Sequence, residues 1–240
     1  MTSSPWHAHG NVYLISEETD LTPERVRDEA IGTDGIVQVV RAGDDEAEIV
    51  IWNTDGSTAE MSGNGTRIAG AWLMARTGAD DVRIVVGQRV VTVRTLGTAL
   101  FESDLGEVTV GERETVDGIE LTTVDVGNPH AVVVGDPDDV TRLGPLLETH
   151  PRFPNRTNVQ VARVDGPGEV TARVWERGVG ETTASGSSAV AVAAATHADG
   201  DVLVHFPGGD LRVRLENGRA WLTGPAEPVA GATDSTAGIV

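Results

Sequence analysis

Two serines in this chain stand where a loop enters a helix, each followed at once by small residues: Ser62 by Gly63, Asn64 and Gly65, and Ser185 by Gly186, Ser187 and Ser188. The first turn of a helix carries unpaired backbone N–H groups and the positive end of the peptide dipole, so it is suited to an anion. Glycine beside it lets a ligand approach the backbone closely, and two such turns could together hold a carboxylate. Taken singly, each serine is an ordinary helix cap, a position serine favours in any protein. The case for chemistry rests on the pair: each serine comes ten residues after a tryptophan, Trp52 and Trp175, and charged groups crowd both loops. Other polar residues stand at candidate loop positions: Asn11, Asn53, Asn128, Asn158, the pair Glu176-Arg177, and His130 directly after a proline. Read one by one, these are turn formers, surface charge and a structural histidine.

The elements that must position these residues repeat. Gly10-Asn11 opens the apolar run from Val12 to Ile15, and Gly127-Asn128 opens another from Ala131 to Val134. Ile49 to Trp52 leads to Ser62-Gly63, as Ala172 to Trp175 leads to Ser185-Gly186. Gly87 to Val93 (GQRVVTV) and Gly209 to Leu215 (GDLRVRL) each alternate apolar and polar positions, the pattern of a half-buried strand. The three landmarks are separated by 117, 123 and 122 residues, which implies a duplicated α/β unit of roughly 115 residues. Val37 to Arg41 and Glu48 to Trp52 read as strands, and Gly56 to Ala59 as a turn. Gly65 to Arg76 carries Ile68, Ala69, Trp72 and Leu73 at helical spacing and reads as an amphipathic helix. Ser188 to Ala195 is apolar all round, as befits a helix enclosed by sheet. The expected fold class is α/β (α+β): two pseudo-symmetric lobes, 1–116 and 117–228, each a curved, mostly antiparallel sheet around a central helix. A tail over 229–240, rich in Ala, Gly, Ser and Thr, is expected to be poorly ordered.

Composition removes several kinds of chemistry. All 18 basic residues are arginine, so no lysine can hold pyridoxal phosphate or complete a phosphate-binding Walker loop. Cysteine is absent, which excludes disulfides, thiolate metal sites and a thiolate base. The six histidines show no helical pair at metal-ligand spacing, so neither a metal nor any other cofactor is expected. A net charge of −19 opposes a phosphate backbone, and no run of about 18 apolar residues could span a bilayer. A cytoplasmic protein acting on a small molecule, with neither nucleic acid nor membrane as partner, is the expectation; a homodimer stays open.

The stretch from Asn53 to Arg67 (NTDGSTAEMSGNGTR) resembles the first signature of diaminopimelate epimerases, in which cysteine occupies the place of Ser62. Trp175 to Ala189 (WERGVGETTASGSSA) resembles the second, with cysteine at the place of Ser185. Gly127 to His130, Asn158-Val159, and His7 with Gly10-Asn11 are similar to further motifs of that family, so the likeness runs from residue 7 to about residue 225.

The resemblance implies proton transfer by two bases without pyridoxal. One group removes the α-proton of an amino acid, the other protonates the opposite face, and each lobe supplies one, across a cleft. Ser62 and Ser185 would take these places, with His130 and Glu176 tuning them. Gly63-Asn64 and Gly186-Ser187 would cradle the α-carboxylate. Asn11, Asn53, Asn128 and Asn158 would bind the distal end or α-amino region, Glu176 the α-amino group and Arg177 the distal carboxylate. A serine hydroxyl is a far weaker acid than a thiol and normally needs a neighbouring base, so slow or altered turnover is expected. Two further readings stand beside this one: a proline-racemase-like isomerase or dehydratase, and a binder of an amino acid that moves no proton.

Overall fold

The computed structural model describes residues 3–230, which divide into two units: unit 1 takes residues up to Ser103 and from Pro225 on, and unit 2 is Asp104–Gly224. Of the tail expected over 229–240, residues 231–240 lie outside the described residues, while the Val229 N–H bonds the Pro5 carbonyl at 2.9 Å.

Unit 1 begins with β1 (Ser3–Ala8) and β2 (Asn11–Ser16), followed by α1 (Pro23–Glu29), β3 (Gly35–Ala42), β4 (Glu46–Trp52) and the two-residue β5 (Thr58–Ala59). Then come α2 (Gly63–Thr77), β6 (Asp81–Val86) and β7 (Arg89–Gly97). Pairing along the sheet runs β1, β2, β3, β4, β6, β7; β2 with β3 and β4 with β6 are parallel and the remaining neighbours antiparallel. The strand β8 (Leu100–Glu107) carries the chain into unit 2.

Unit 2 repeats this plan. After β9 (Thr109–Val116) come β10 (Ile119–Asp125), β11 (Pro129–Val134), α3 (Val140–Glu148), β12 (Asn158–Gly166), β13 (Glu169–Glu176) and β14 (Gly180–Thr182). They are followed by α4 (Gly186–Thr196), β15 (Gly200–Phe206), β16 (Gly209–Glu216) and β17 (Arg219–Pro225). The order is β10, β11, β12, β13, β15, β16, again with parallel pairs in second and fourth place, β11 with β12 and β13 with β15. The duplication read from the sequence is thus a duplication of topology. The correspondence reaches single residues: Tyr13 pairs with Gly35 in unit 1 as His130 pairs with Asn158 in unit 2.

Each unit wraps its sheet about one helix. The helix α2 packs on β1 to β4, β6 and β7, and α4 packs on β10 to β13, β15 and β16. The second helix is buried through Ala193, as its apolar composition requires. The first departs from the amphipathic expectation: from Gly63 to Ala71 every residue is buried, and exposure is confined to its last turn. Small residues make this enclosure possible. At Gly70 an added β-carbon would lie 2.7 Å from the Val93 side chain, so the strand closes directly on the helix backbone. The outer helices cover the other faces, α1 through Val26 and its C-cap Ala30 against Ile36, and α3 through Leu143 and Leu147 in a cluster with Leu121, Val159 and Val161. None of the helices among the described residues is long and apolar enough to cross a membrane.

Candidate active site

Ser62 caps α2 from an extended backbone, φ −140° and ψ 119°, and its Oγ accepts the Gly65 N–H at 3.0 Å. Tyr13 reaches the same oxygen from β2, with its Oη 3.4 Å from Ser62 Oγ. Behind the cap lies a polar chain. Arg67, fully buried in the first turns of α2, donates to Asn64 Oδ1 at 2.8 Å, to the Pro225 carbonyl at 3.0 Å and to the Gly63 carbonyl at 3.4 Å. Asn64 Nδ2 in turn donates to Asn11 Oδ1 at 3.3 Å. All three partners of Arg67 are neutral amide oxygens, and burial pulls its pKa down to about 10. It therefore remains a cation near neutral pH, deep in unit 1. Asp34 holds the turn before β3 by accepting the Val12 N–H at 2.7 Å; burial, its largest influence, pushes its carboxyl above the usual range.

The structure thus joins Asn11, Ser62, Gly63 and Asn64 in one hydrogen-bonded corner. Asn53 belongs to a different local group, a turn in which its N–H bonds the Ser57 carbonyl and its Nδ2 the Ser57 hydroxyl.

Ser185 caps α4 with almost the same backbone, φ −144° and ψ 130°, but its side chain makes no capping hydrogen bond, and it is buried with Ser187. His130 is buried beside this helix. Its Nδ1 accepts from Gln160 Nε2 at 3.0 Å and its Nε2 lies 2.9 Å from Asn128 Oδ1, so a neutral ring protonated at Nε2 satisfies both partners. Burial lowers its pKa to about 3, opposed by the Gln160 bond, so the ring stays neutral at working pH. Gln160 also donates to Ser188 Oγ at 2.9 Å, which ties the ring to the first turn of α4.

Asn158 joins two loops: Nδ2 donates to the Pro129 carbonyl and Oδ1 accepts the Arg177 N–H, both at 2.9 Å. Glu176 accepts from the Thr182 hydroxyl at 2.5 Å, and Arg177 Nη1 donates to the Asn155 carbonyl at 3.4 Å.

Four residues that hold these groups were not singled out in the sequence for that role. Tyr13 and Gln160 sit inside apolar strand patterns, and Arg67 falls within a helix whose charged residues read as its solvent face. Glu148, buried at the end of α3, accepts from Trp175 Nε1 and the Gly178 N–H, each at 2.8 Å, and so anchors the loop after β13.

This fold is shared with solved epimerases. A structure described as a predicted epimerase from Pseudomonas aeruginosa superposes with a TM-score of 0.72 at 16% identity, covering 95% of this chain and 96% of that one. A hydroxyproline epimerase from Agrobacterium vitis, solved with bound trans-4-hydroxy-L-proline, gives 0.67 at 14% identity over 95% and 88%. At such identities the likeness defines the fold. The sequence is more specific: the diaminopimelate epimerase family model matches residues 12–111 and 122–229. Diaminopimelate epimerases from Methanothermobacter thermautotrophicus and Desulfitobacterium hafniense are 35% and 37% identical, over 88% and 82% of this chain and 88% and 80% of theirs. The chain belongs to the diaminopimelate epimerase family.

Proposed function

We propose that this protein interconverts LL- and meso-2,6-diaminopimelate by moving a proton at the α-carbon, with Ser62 and Ser185 as the two proton-transferring groups. The observation that supports this reading is the pair of serines with nearly the same backbone angles at the N-cap of the central helices, one per unit, at the two positions where the family resemblance places cysteine. In each unit the backbone N–H groups of the first helical turn offer the anion site for the α-carboxylate, at Gly63-Asn64 and Gly186-Ser187. Removal of the α-proton places negative charge next to that carboxylate, where fixed N–H dipoles stabilise it without reorganising.

The remaining assignments are positional. Asn11, Asn53, Asn128 and Asn158 address the distal end or α-amino region, Glu176 the α-amino group and Arg177 the distal carboxylate. His130, neutral and doubly bonded, orients Asn128 rather than exchanging protons itself. The substrate is a small amino diacid, and the same reading places the protein in the cytoplasm.

Incubation of the protein with LL-diaminopimelate, followed by chiral separation, tests the proposal. Meso product should form slowly and without added cofactor, while proline should not be racemised. Binding of diaminopimelate without any inversion would leave a binder and overturn the enzymatic reading.

A further inference from the structure

We propose that Tyr13 is the proton-carrying partner of Ser62, so that in unit 1 a tyrosine–serine pair, rather than the serine alone, exchanges the α-proton. The inference rests on the epimerase reading above and deepens it.

A buried phenol brings a hydroxyl that needs a partner. Tyr13 is only 8% exposed, and its hydroxyl is directed to Ser62 Oγ at 3.4 Å. The ring is held there by β3: at Gly35, whose φ is +154°, a β-carbon would lie 2.2 Å from the Trp52 carbonyl oxygen and 2.9 Å from Tyr13 Cε1. No larger residue fits beneath the ring. Because Ser62 Oγ already accepts the Gly65 N–H, its own proton is available to a second oxygen. Two charged groups border this corner through the neighbouring backbone. Asp34 accepts the N–H of Val12, next to Tyr13, and Arg67 donates to the carbonyl of Gly63, next to Ser62. At the corresponding place in unit 2 stands His130, whose ring bonds Asn128 and Gln160 instead of Ser185.

The chemistry balances without a co-reactant. As the substrate Cα–H bond breaks, its proton passes to Ser62 Oγ while the serine proton passes to the Tyr13 phenolate; a neutral tyrosine and a substrate carbanion result. The reverse sequence protonates the carbanion. A phenol ionises near pH 10, so about one in a thousand is phenolate at pH 7, whereas an aliphatic hydroxyl ionises far less readily. Tyr13 acts through Ser62 and is therefore a positioning residue.

Since the chain has one tyrosine, phenolate absorbance followed against pH in the full-length protein reports Tyr13 alone. Ser62→Ala should raise its midpoint by about one pH unit, because the phenolate loses a hydrogen-bond donor; Ser185→Ala should leave it in place. Tyr13→Phe keeps the ring and deletes the hydroxyl, and should lower kcat about 10- to 100-fold with KM near the parent's, while flattening the rise of rate with pH. A midpoint indifferent to Ser62→Ala, or a Tyr13→Phe variant as active as the parent, overturns the pairing alone. A parent that exchanges no α-proton overturns the reaction itself, and the relay with it.

Discussion

Ser62 and Ser185 hold nearly the same backbone angles at the start of equivalent helices, yet their side chains meet different neighbours. Around Ser62 are a capping N–H, a phenol and, one turn on, the buried cation Arg67. Around Ser185 no capping bond forms; Val190 occupies the place of Arg67, and the nearby titratable side chain, His130, is held neutral and turned to other partners. Duplication of a fold therefore fixed where two hydroxyls stand without fixing the groups around them. Acidity depends on the atoms around each oxygen, and those have diverged.

The largest expected effect comes from removing the contrast. Replacing both serines, Ser62→Cys with Ser185→Cys, should raise the epimerisation rate about 10²- to 10⁴-fold, since a thiol near pH 8.5 is far closer to working pH than a hydroxyl. The single variants sharpen the comparison. Ser185→Cys should help about tenfold more than Ser62→Cys, because Ser62 already has a proton-carrying partner and paired groups do not act additively. Equal gains in steady-state chiral assays would mean that the two corners are equivalent after all.

The cation of unit 1 offers a second route. Arg67→Met removes a donor from the buried Asn64 amide oxygen, from the part-buried Pro225 carbonyl and from the Gly63 carbonyl, which keeps the Thr66 hydroxyl. Relief of the buried charge offsets part of that cost, and a net loss of roughly 2 kcal/mol in denaturant unfolding is expected. KM for diaminopimelate should rise as Asn64 and Asn11 lose their fixed orientation. The matching change in unit 2, Val190→Ala, should lower stability by a cavity cost of roughly 2 kcal/mol and leave KM unchanged.

A third route is read in pH. His130 has its folded pKa lowered to about 3 by burial, below the ordinary histidine value of 6.5. Between these values the unfolded chain binds the extra proton and the folded chain does not, so stability is lost as pH falls from about 6.5 toward 3. Thermal midpoints between pH 7 and 4.5 should fall less steeply for His130→Gln than for the parent. Parallel curves would show that the ring is solvated in the native state.

The repeat was legible because strand alternation, the two tryptophans and the two serine caps recur at nearly constant offset, and these are properties of local sequence. So was the enclosure of α4, whose every face is apolar. The enclosure of α2 was not, because Arg67 reads as a solvent-facing residue unless one knows that Asn64 and the Gly63 and Pro225 carbonyls accept from it. Tyr13 was hidden in a similar way: in an apolar run its ring reads as core, which it is, and only the tertiary approach of Ser62 gives the hydroxyl a function. Of the candidate residues, Asn11, Ser62, Gly63 and Asn64 meet in unit 1, and Asn128, His130 and Asn158 are linked in unit 2. Their supports, Gln160 and Glu148, come from strand and helix positions far away in sequence, which spacing alone does not expose.

The central claim is that each serine handles a proton at one α-carbon, and isotope exchange in deuterium oxide tests it most directly. LL-diaminopimelate incubated with the parent should give meso product carrying one deuterium at the inverted centre, and Ser62→Ala and Ser185→Ala should each stop its formation. Meso product formed without deuterium, or formed as fast after either alanine substitution, would contradict the account.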